Sequence, residues 1–196
     1  MKKRIKKNKN TIIGIVAIAL VILAAFLLIP SAGNGHLAKI ETSMGDIVVE
    51  LAPNEAPITV ENFKSYIEEG FYDGLIFHRV IDNFMIQGGG FLPTGEQKKP
   101  NAPIKLESNN GLKNDEYTIA MARTNVPDSA TSQFFINSNK NDFLNYAPGN
   151  PGYAVFGKVI EGKDVVDKIE KVQTSTRGPM QNWPIADVVI KKISLI

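Results

Sequence analysis

An uninterrupted apolar stretch stands near the start of the chain. The 18 residues from Ile12 to Ile29 include no charged side chain. As a helix rising about 1.5 Å per residue, they would reach about 27 Å, close to the roughly 30 Å of hydrocarbon in a bilayer. The pattern therefore predicts one membrane-spanning helix over residues 11–30.

The remainder alternates apolar and polar positions over short segments, which is the pattern of half-buried strands. Ala38–Thr42 and Ile47–Leu51 flank a turn sequence that contains Gly45, and together they predict a β-hairpin. Further strands are predicted over Leu75–Val80, Phe84–Gln87, Tyr117–Ala122, Gln133–Asn137, Tyr153–Ile160 and Ile185–Ile196.

Two segments have helical spacing instead. The first begins at Pro57 and stops at Gly70, and the second follows Gly162. The segment from Gly88 to Asn114 has little periodicity and is predicted to be loop. Many short strands with two isolated helices predict a mostly β domain over residues 38–196, antiparallel and closed or nearly closed, with helices at its ends.

The charges at the N-terminus predict an orientation for the spanning helix. Residues 1–10 hold six Lys or Arg and no acid. Such charges stay in the cytoplasm, so the domain after Pro30 would lie outside it. A cleaved signal peptide is the alternative, with Ser31 and Gly33 as the best small pair, although its apolar region is usually shorter. Residues 31–37 are predicted to form a linker, and the domain would be secreted if the segment is cleaved.

Composition excludes several kinds of function. The chain has no cysteine, which excludes disulfides, thiol nucleophiles and cysteine-held metals, and only two histidines, which argues against a histidine-rich metal site. Residues 36–196 carry 22 − 6 = 16 basic and 20 acidic residues, a net charge of −4. A nucleic-acid role therefore lacks its simplest support, a basic face.

Common catalytic motifs are missing from the sequence. The run Gly88–Gly90 has neither the Walker spacing nor G-x-G-x-x-G, so it does not predict a phosphate loop. No nucleophile elbow accompanies the groups from which a serine triad could be drawn. Those groups are His78, Asp73, Asp82, Ser129 and Ser132.

A patterned surface remains. Side chains alternate faces along a strand, so Met85 and Gln87 share one face, as do Gln133 and Phe135. If these four point the same way as Arg79, they form an apolar shelf edged by one guanidinium and two amides. Such a shelf suits a peptide-binding groove with an oriented donor and no nucleophile. Ordinary alternation of core and surface residues is the other interpretation.

The same residues carry a family resemblance. Residues 77–89 read F-H-R-V-I-D-N-F-M-I-Q-G-G, which resembles the F-H-R-V-I-x-x-F-M-x-Q-G-G signature of the cyclophilins. Residues 120–124, A-M-A-R-T, and 129–137, S-A-T-S-Q-F-F-I-N, are similar to their second block in its bacterial form. The resemblance runs from about Ala38 to Ile196 and leaves out the N-terminal segment.

The resemblance implies a peptidyl-prolyl cis–trans isomerase built on a closed eight-stranded antiparallel barrel capped by two helices, which needs no cofactor and no metal. By motif position, Arg79 matches the catalytic arginine. The residues that match the substrate-binding positions are Phe84, Met85, Phe135 and Leu144 around the proline ring, Gln87 and Gln133 near the peptide backbone, and Ala122, whose backbone meets the peptide.

Three departures from the family pattern bear on ligands. Phe143 and Tyr153 also match substrate-binding positions, but Phe143 stands where the family has a tryptophan and Tyr153 where it has a histidine. The block around Arg123–Val126 is one residue longer than the common eukaryotic form. The changes leave isomerase activity expected and predict only weak binding of cyclosporin.

The function predicted from the sequence is a membrane-tethered prolyl isomerase that assists the folding of exported proteins. Its partners would be proline-containing segments of those proteins and, through the N-terminal helix, the membrane; no nucleic acid is expected. A binding module or chaperone that grips such segments is the second hypothesis. Arg79 favours the enzyme, because a pure binder would not need that arginine.

Overall fold

The structure is a computed structural model that describes residues 36–196. The predicted basic segment, the predicted spanning helix and most of the predicted linker lie outside the described residues. From His36 to Ile196, no helix combines the length and the apolarity that a membrane crossing requires.

Ten strands and two α-helices make up the domain. In chain order they are β1 (Leu37–Thr42), β2 (Gly45–Leu51), α1 (Pro57–Glu68), β3 (Arg79–Ile81), β4 (Met85–Gly88), β5 (Thr118–Met121), β6 (Phe134–Asn137), β7 (Val155–Glu161), α2 (Lys163–Glu170), β8 (Thr174–Arg177), β9 (Met180–Pro184) and β10 (Ile190–Leu195). The predicted first hairpin and both predicted helices are confirmed. The segment between β4 and β5 holds no helix or strand, as its lack of periodicity predicted.

Eight of the strands form one antiparallel sheet in the order β10-β1-β2-β7-β5-β6-β4-β3. The sheet is an open half-barrel, so the prediction of a closed barrel is wrong. Its edge strands β3 and β10 do not pair as a ladder. An isolated bridge between Ile76 and Val189 joins the segment before β3 to the start of β10 instead, with three backbone hydrogen bonds: Gly74 N–H to Ile190 O, Phe77 N–H to Val188 O and Ile190 N–H to Leu75 O.

The same region explains two shortened strands. The predicted strand Leu75–Val80 pairs with β4 only from Arg79 onward. Residues 75–78 instead follow an irregular path along the start of β10. The predicted closing strand begins at Ile190, five residues later than the alternation suggested. A second sheet, the β8–β9 hairpin, precedes it and was not predicted.

Alternation along the strands separates two apolar clusters. Ile86, Phe134 and Ile136 point into the main core, where Phe63 of α1 packs on Phe134 with ring centroids 5.6 Å apart. Met85 and Phe135 point to the opposite face and belong to a smaller cluster. The sheet therefore has its helix-covered core on one face and a separate apolar surface on the other.

The long loop between β4 and β5 is attached to α1 through Glu107. Its carboxylate accepts hydrogen bonds from the Ile58 and Thr59 N–H groups, at 3.1 and 2.8 Å, in the first turn of the helix. These donors have no partner within a helix, and a negative charge is favourable at this end of the helix dipole. The loop is thereby held against the domain.

Candidate active site

Four side chains stand in one row across the sheet. In the ladder register, Arg79 of β3 lies opposite Gln87 of β4, Gln87 opposite Phe135 of β6, and Phe135 opposite Ala120 of β5. Directly opposite residues share a face, and so do residues two apart on a strand, which adds Met85. The shared face predicted from strand parity is therefore present.

Arg79, Gln87 and Phe135 of this row, together with Met85, line a cavity of about 350 Å³. Nine of the ten predicted site residues line it. The lining residues are Arg79, Phe84, Met85, Gln87, Ala122, Arg123, Phe135, Phe143, Leu144 and Tyr153. The tenth, Gln133, lies beside the cavity and accepts a hydrogen bond of 2.9 Å at its Oε1 from Nε2 of Gln87.

Aromatic rings build the apolar walls. The Phe135 ring meets the Tyr153 ring edge-on, with centroids 5.6 Å apart and an interplanar angle of 81°. Phe84 and Phe143 are stacked at 5.6 Å, and the Phe143 side chain is 67% exposed at the rim. A cavity of this size, with aromatic rings on its walls and polar side chains at its edge, is large enough for a small ring such as that of proline.

Arg79, on the edge strand β3, also lines this cavity. Its Nη1 donates to Oε1 of Gln87 at 3.4 Å and lies 3.9 Å from the sulfur of Met85, and its Cζ lies 5.9 Å from the centre of the Phe84 ring. Burial lowers the pKa of Arg79 below its usual range. A guanidinium nevertheless stays protonated in proteins, so the site keeps a directional cationic donor.

Arg123 also lines the cavity, although no role was predicted for it from the sequence. Its Nε donates to Gly152 O and its Nη1 to Thr124 O, both at 2.8 Å, and its Cζ lies 4.5 Å above the Tyr153 ring. The signal was its position directly after Ala122 in the second motif block. The extra residue in that block hid where the side chain would point.

Comparison with known proteins decides the family. The model of the family described as "Cyclophilin type peptidyl-prolyl cis-trans isomerase/CLD" matches residues 37–195. The chain belongs to the cyclophilin family. It is 52% identical over 175 residues to a peptidyl-prolyl cis-trans isomerase of Acinetobacter baylyi, covering 89% of this chain and 93% of that protein. It is 51% identical over 162 residues to peptidyl-prolyl cis-trans isomerase B of Escherichia coli K12, covering 81% of this chain and 99% of that protein.

Solved cyclophilin structures agree with this assignment. The chain is similar to a cyclophilin-type isomerase of Cryptosporidium parvum crystallised in the presence of the dipeptide Ala-Pro. The TM-score is 0.70 at 30% identity, over 82% of this chain and 98% of that one. The AquaCyp293 cyclophilin of Hirschia baltica gives a TM-score of 0.67 at 23% identity, over 82% and 74% of the two chains, which supports the fold.

In this cyclophilin, a buried amide network positions the wall that carries Phe143 and Leu144. Nδ2 of Asn141 donates to Oδ1 of Asn137 at 2.7 Å and to Phe84 O at 2.8 Å. Nδ2 of Asn137 in turn donates to Oγ1 of Thr118 at 2.9 Å. Buried amides joined in this way fix a loop rigidly, because each broken bond would leave a buried polar group unsatisfied. No pattern along the chain indicated this network.

The groups considered for a serine triad do not assemble in this cyclophilin. The Ser132 hydroxyl donates to Gly89 O at 2.8 Å, and Asp82 pairs with Lys171. His78 packs against the Phe91 ring, 4.6 Å away, and burial lowers its pKa to about 4. His78 is therefore a neutral structural histidine at physiological pH. Within residues 36–196, no three side chains of His, Asp or Glu are grouped so that they could hold a metal ion.

Proposed function

We propose that this cyclophilin is a prolyl isomerase that uses Arg79 as its catalytic donor and acts on exported proteins outside the cytoplasm. Family membership, with relatives at about half identity that are named isomerases, supports the isomerase activity. The observation that carries the site assignment is the position of Arg79, a cationic donor that lines the cavity in the same row as Gln87 and Phe135.

The reaction needs stabilisation of a twisted amide and no covalent step. Resonance makes the peptide C–N bond resist rotation by about 18–20 kcal/mol. When the X–Pro bond twists, the nitrogen lone pair leaves conjugation and becomes a hydrogen-bond acceptor. A donor aimed at that nitrogen stabilises the twisted state more than either planar isomer, and this difference accelerates the rotation. Arg79 supplies such a donor through a planar fork that stays charged.

The rest of the cavity would hold the proline ring while the bond before it turns. Met85, Phe135 and Leu144 offer apolar contact, and the linked amides of Gln87 and Gln133 offer donors and acceptors to the peptide backbone. The Ala-Pro dipeptide in the related Cryptosporidium crystal supports proline-containing peptides as ligands here.

The second half of the proposal concerns location. The six basic residues among 1–10 and the uncharged run Ile12–Ile29 support a signal anchor with its N-terminus in the cytoplasm. A domain tethered in this way would meet chains that emerge across the membrane before they have folded. It would be secreted instead if the segment is cleaved.

Fractionation of cells expressing the full chain tests the location. The expected result is full-length protein in the membrane fraction, with the domain degraded by protease added outside the cell. A chain that starts at His36 is the matched control and should stay in the cytoplasm, protected from that protease. Full-length protein that is equally protected would refute the proposed location, whereas soluble external protein starting near Asn34 would identify a cleaved signal peptide.

A further inference from the structure

Two cations face the substrate cavity without any anion beside them. Arg79 and Arg123 both line it, and neither forms an ion pair within residues 36–196. A second cavity of about 330 Å³ shares Gln87, Ala122 and Arg123 with the first. The second cavity is lined by Gln87, Gln97, Pro100, Ala122, Arg123, Thr124, Ser129, Thr131 and Gln133. Among the residues that line the two cavities there is no Asp and no Glu.

Arg123 forms the boundary between the two cavities and is fixed there. Nε and Nη1 are held by backbone carbonyls of Gly152 and Thr124, and the guanidinium lies over the Tyr153 ring. A guanidinium has five N–H donors, and Nη2 makes no hydrogen bond to any residue from 36 to 196. The side chain therefore presents a preoriented cationic donor to whatever passes from one cavity into the other.

The local charge contrasts with that of the whole domain. Residues 36–196 carry 16 basic and 20 acidic residues, a net charge of −4, yet the groove contains two cations and no acid. Unpaired cations in a partly enclosed cleft attract anionic ligands and repel cationic ones. Because Arg123 lines both cavities, it is within reach of a residue that neighbours a proline bound in the first.

We propose that Arg123 makes this cyclophilin favour substrates with an acidic side chain next to the proline, and disfavour a basic one there. The inference rests on the isomerase function proposed above. Arg79 contributes to the same positive electrostatic field, but it acts at the proline nitrogen, which every substrate has. Arg123 is free to discriminate between substrates, because its contact is with the neighbouring residue.

The test compares peptides of one length that carry Glu, Gln or Lys at the residue before, or the residue after, a single proline. Turnover by the full-length protein is measured as kcat/KM by NMR exchange spectroscopy. We expect the Glu peptide to exceed the Lys peptide about fivefold at one of these positions in low salt, the size expected for partly exposed charge pairs. The ratio should fall to about twofold at 0.5 M salt, because screening shortens the reach of the charges.

Variants locate the effect. Arg123→Gln should lower the Glu to Lys ratio to below about twofold, because only the charge of Arg79 then remains in the cavity. Arg177→Gln is the matched control. Like Arg123, Arg177 donates to two backbone carbonyls, those of Pro93 and Thr94, and lies over an aromatic ring, that of Trp183. Unlike Arg123, it lines neither cavity. It removes the same charge from the domain and should keep the wild-type ratio.

The outcomes separate this inference from the function on which it rests. A wild-type ratio within a factor of about 1.5 at both positions, with the Gln peptides turned over normally, would overturn the preference alone. Equal loss of the ratio in Arg177→Gln would overturn the assignment to Arg123. Failure to turn over any peptide would overturn both the inference and the isomerase function. The wild-type peptide series and its salt dependence remain decisive even if a variant does not fold.

Discussion

Replacing Arg79 by alanine tests the mechanism most directly. Removing one preoriented donor to a transition state lowers kcat by about 10²–10³, or roughly 2.7–4 kcal/mol. Arg79→Ala should therefore lose at least a hundredfold in kcat. KM should change little, because the nitrogen becomes a good acceptor only when the bond is twisted and the ground state gains little from the donor.

The structure indicates that the fold will tolerate this change. Arg79 is half-buried, and its polar contacts are one long hydrogen bond of 3.4 Å to Gln87 and a 3.9 Å approach to the Met85 sulfur. Weak contacts of this kind contribute little, so the free energy of unfolding should fall by less than about 1 kcal/mol. A loss of activity can then be attributed to the chemistry.

Arg79→Lys is the matched control, since it keeps the charge and removes the planar fork. Lysine offers a flexible point charge, so this variant should lie between wild type and Arg79→Ala in kcat. Exchange NMR on an Ala-Pro peptide gives the rates, and denaturant unfolding of each variant gives the stability. Turnover of folded Arg79→Ala within about threefold of wild type would refute the role of Arg79. Full activity of Arg79→Lys would show that charge alone is enough.

Three further changes probe the pocket and the buried histidine. Phe135→Ala should weaken binding of an Ala-Pro peptide by roughly 1–3 kcal/mol through lost apolar contact, and an NMR titration with unchanged affinity would show that the pocket is misplaced. Phe143→Trp should tighten cyclosporin about fivefold or more in an inhibition assay, because the indole adds an N–H donor that phenylalanine lacks; tight inhibition of wild type that this variant does not improve would contradict the expectation. Burial lowers the pKa of His78 from 6.5 to about 4. Between these two pH values His78 is protonated in the unfolded chain but neutral in the folded one, so the folded state loses stability as the pH falls from 6.5 to 4. The free energy of unfolding should drop there by about 3 kcal/mol relative to His78→Gln, and parallel pH profiles of the two proteins would rule this out.

Local signals in the sequence were enough for much of the site. Period-two alternation placed Met85 and Phe135 on a face separate from Ile86 and Phe134, and the two apolar clusters confirm this division. The helix beginning at Pro57 followed from its start residue and apolar spacing. These features depend on a residue and its near neighbours, which a sequence displays directly.

Contacts between distant segments decided the features that were not predicted. Arg123 is oriented by a carbonyl 29 residues away, at Gly152, and Asn141 by the carbonyl of Phe84, 57 residues away. The β8–β9 hairpin turns at Gly178, which has a positive φ of 57°, between polar segments with little alternation. No local pattern reports such contacts, because each partner alone is an ordinary polar residue.

The open edge of the main sheet and the β8–β9 hairpin, neither of which was predicted, are connected. Strand β3, which carries Arg79, is an edge strand of the open sheet, and β9 lies beside it without joining its ladder. Arg177 attaches the hairpin to the long loop by donating to the carbonyls of Pro93 and Thr94. The edge is thus covered by a separate hairpin, which protects it from pairing with other chains. Because no further strand pairs with β3 beyond Arg79, the guanidinium can lie at the margin of the sheet, where a peptide can reach it from solvent.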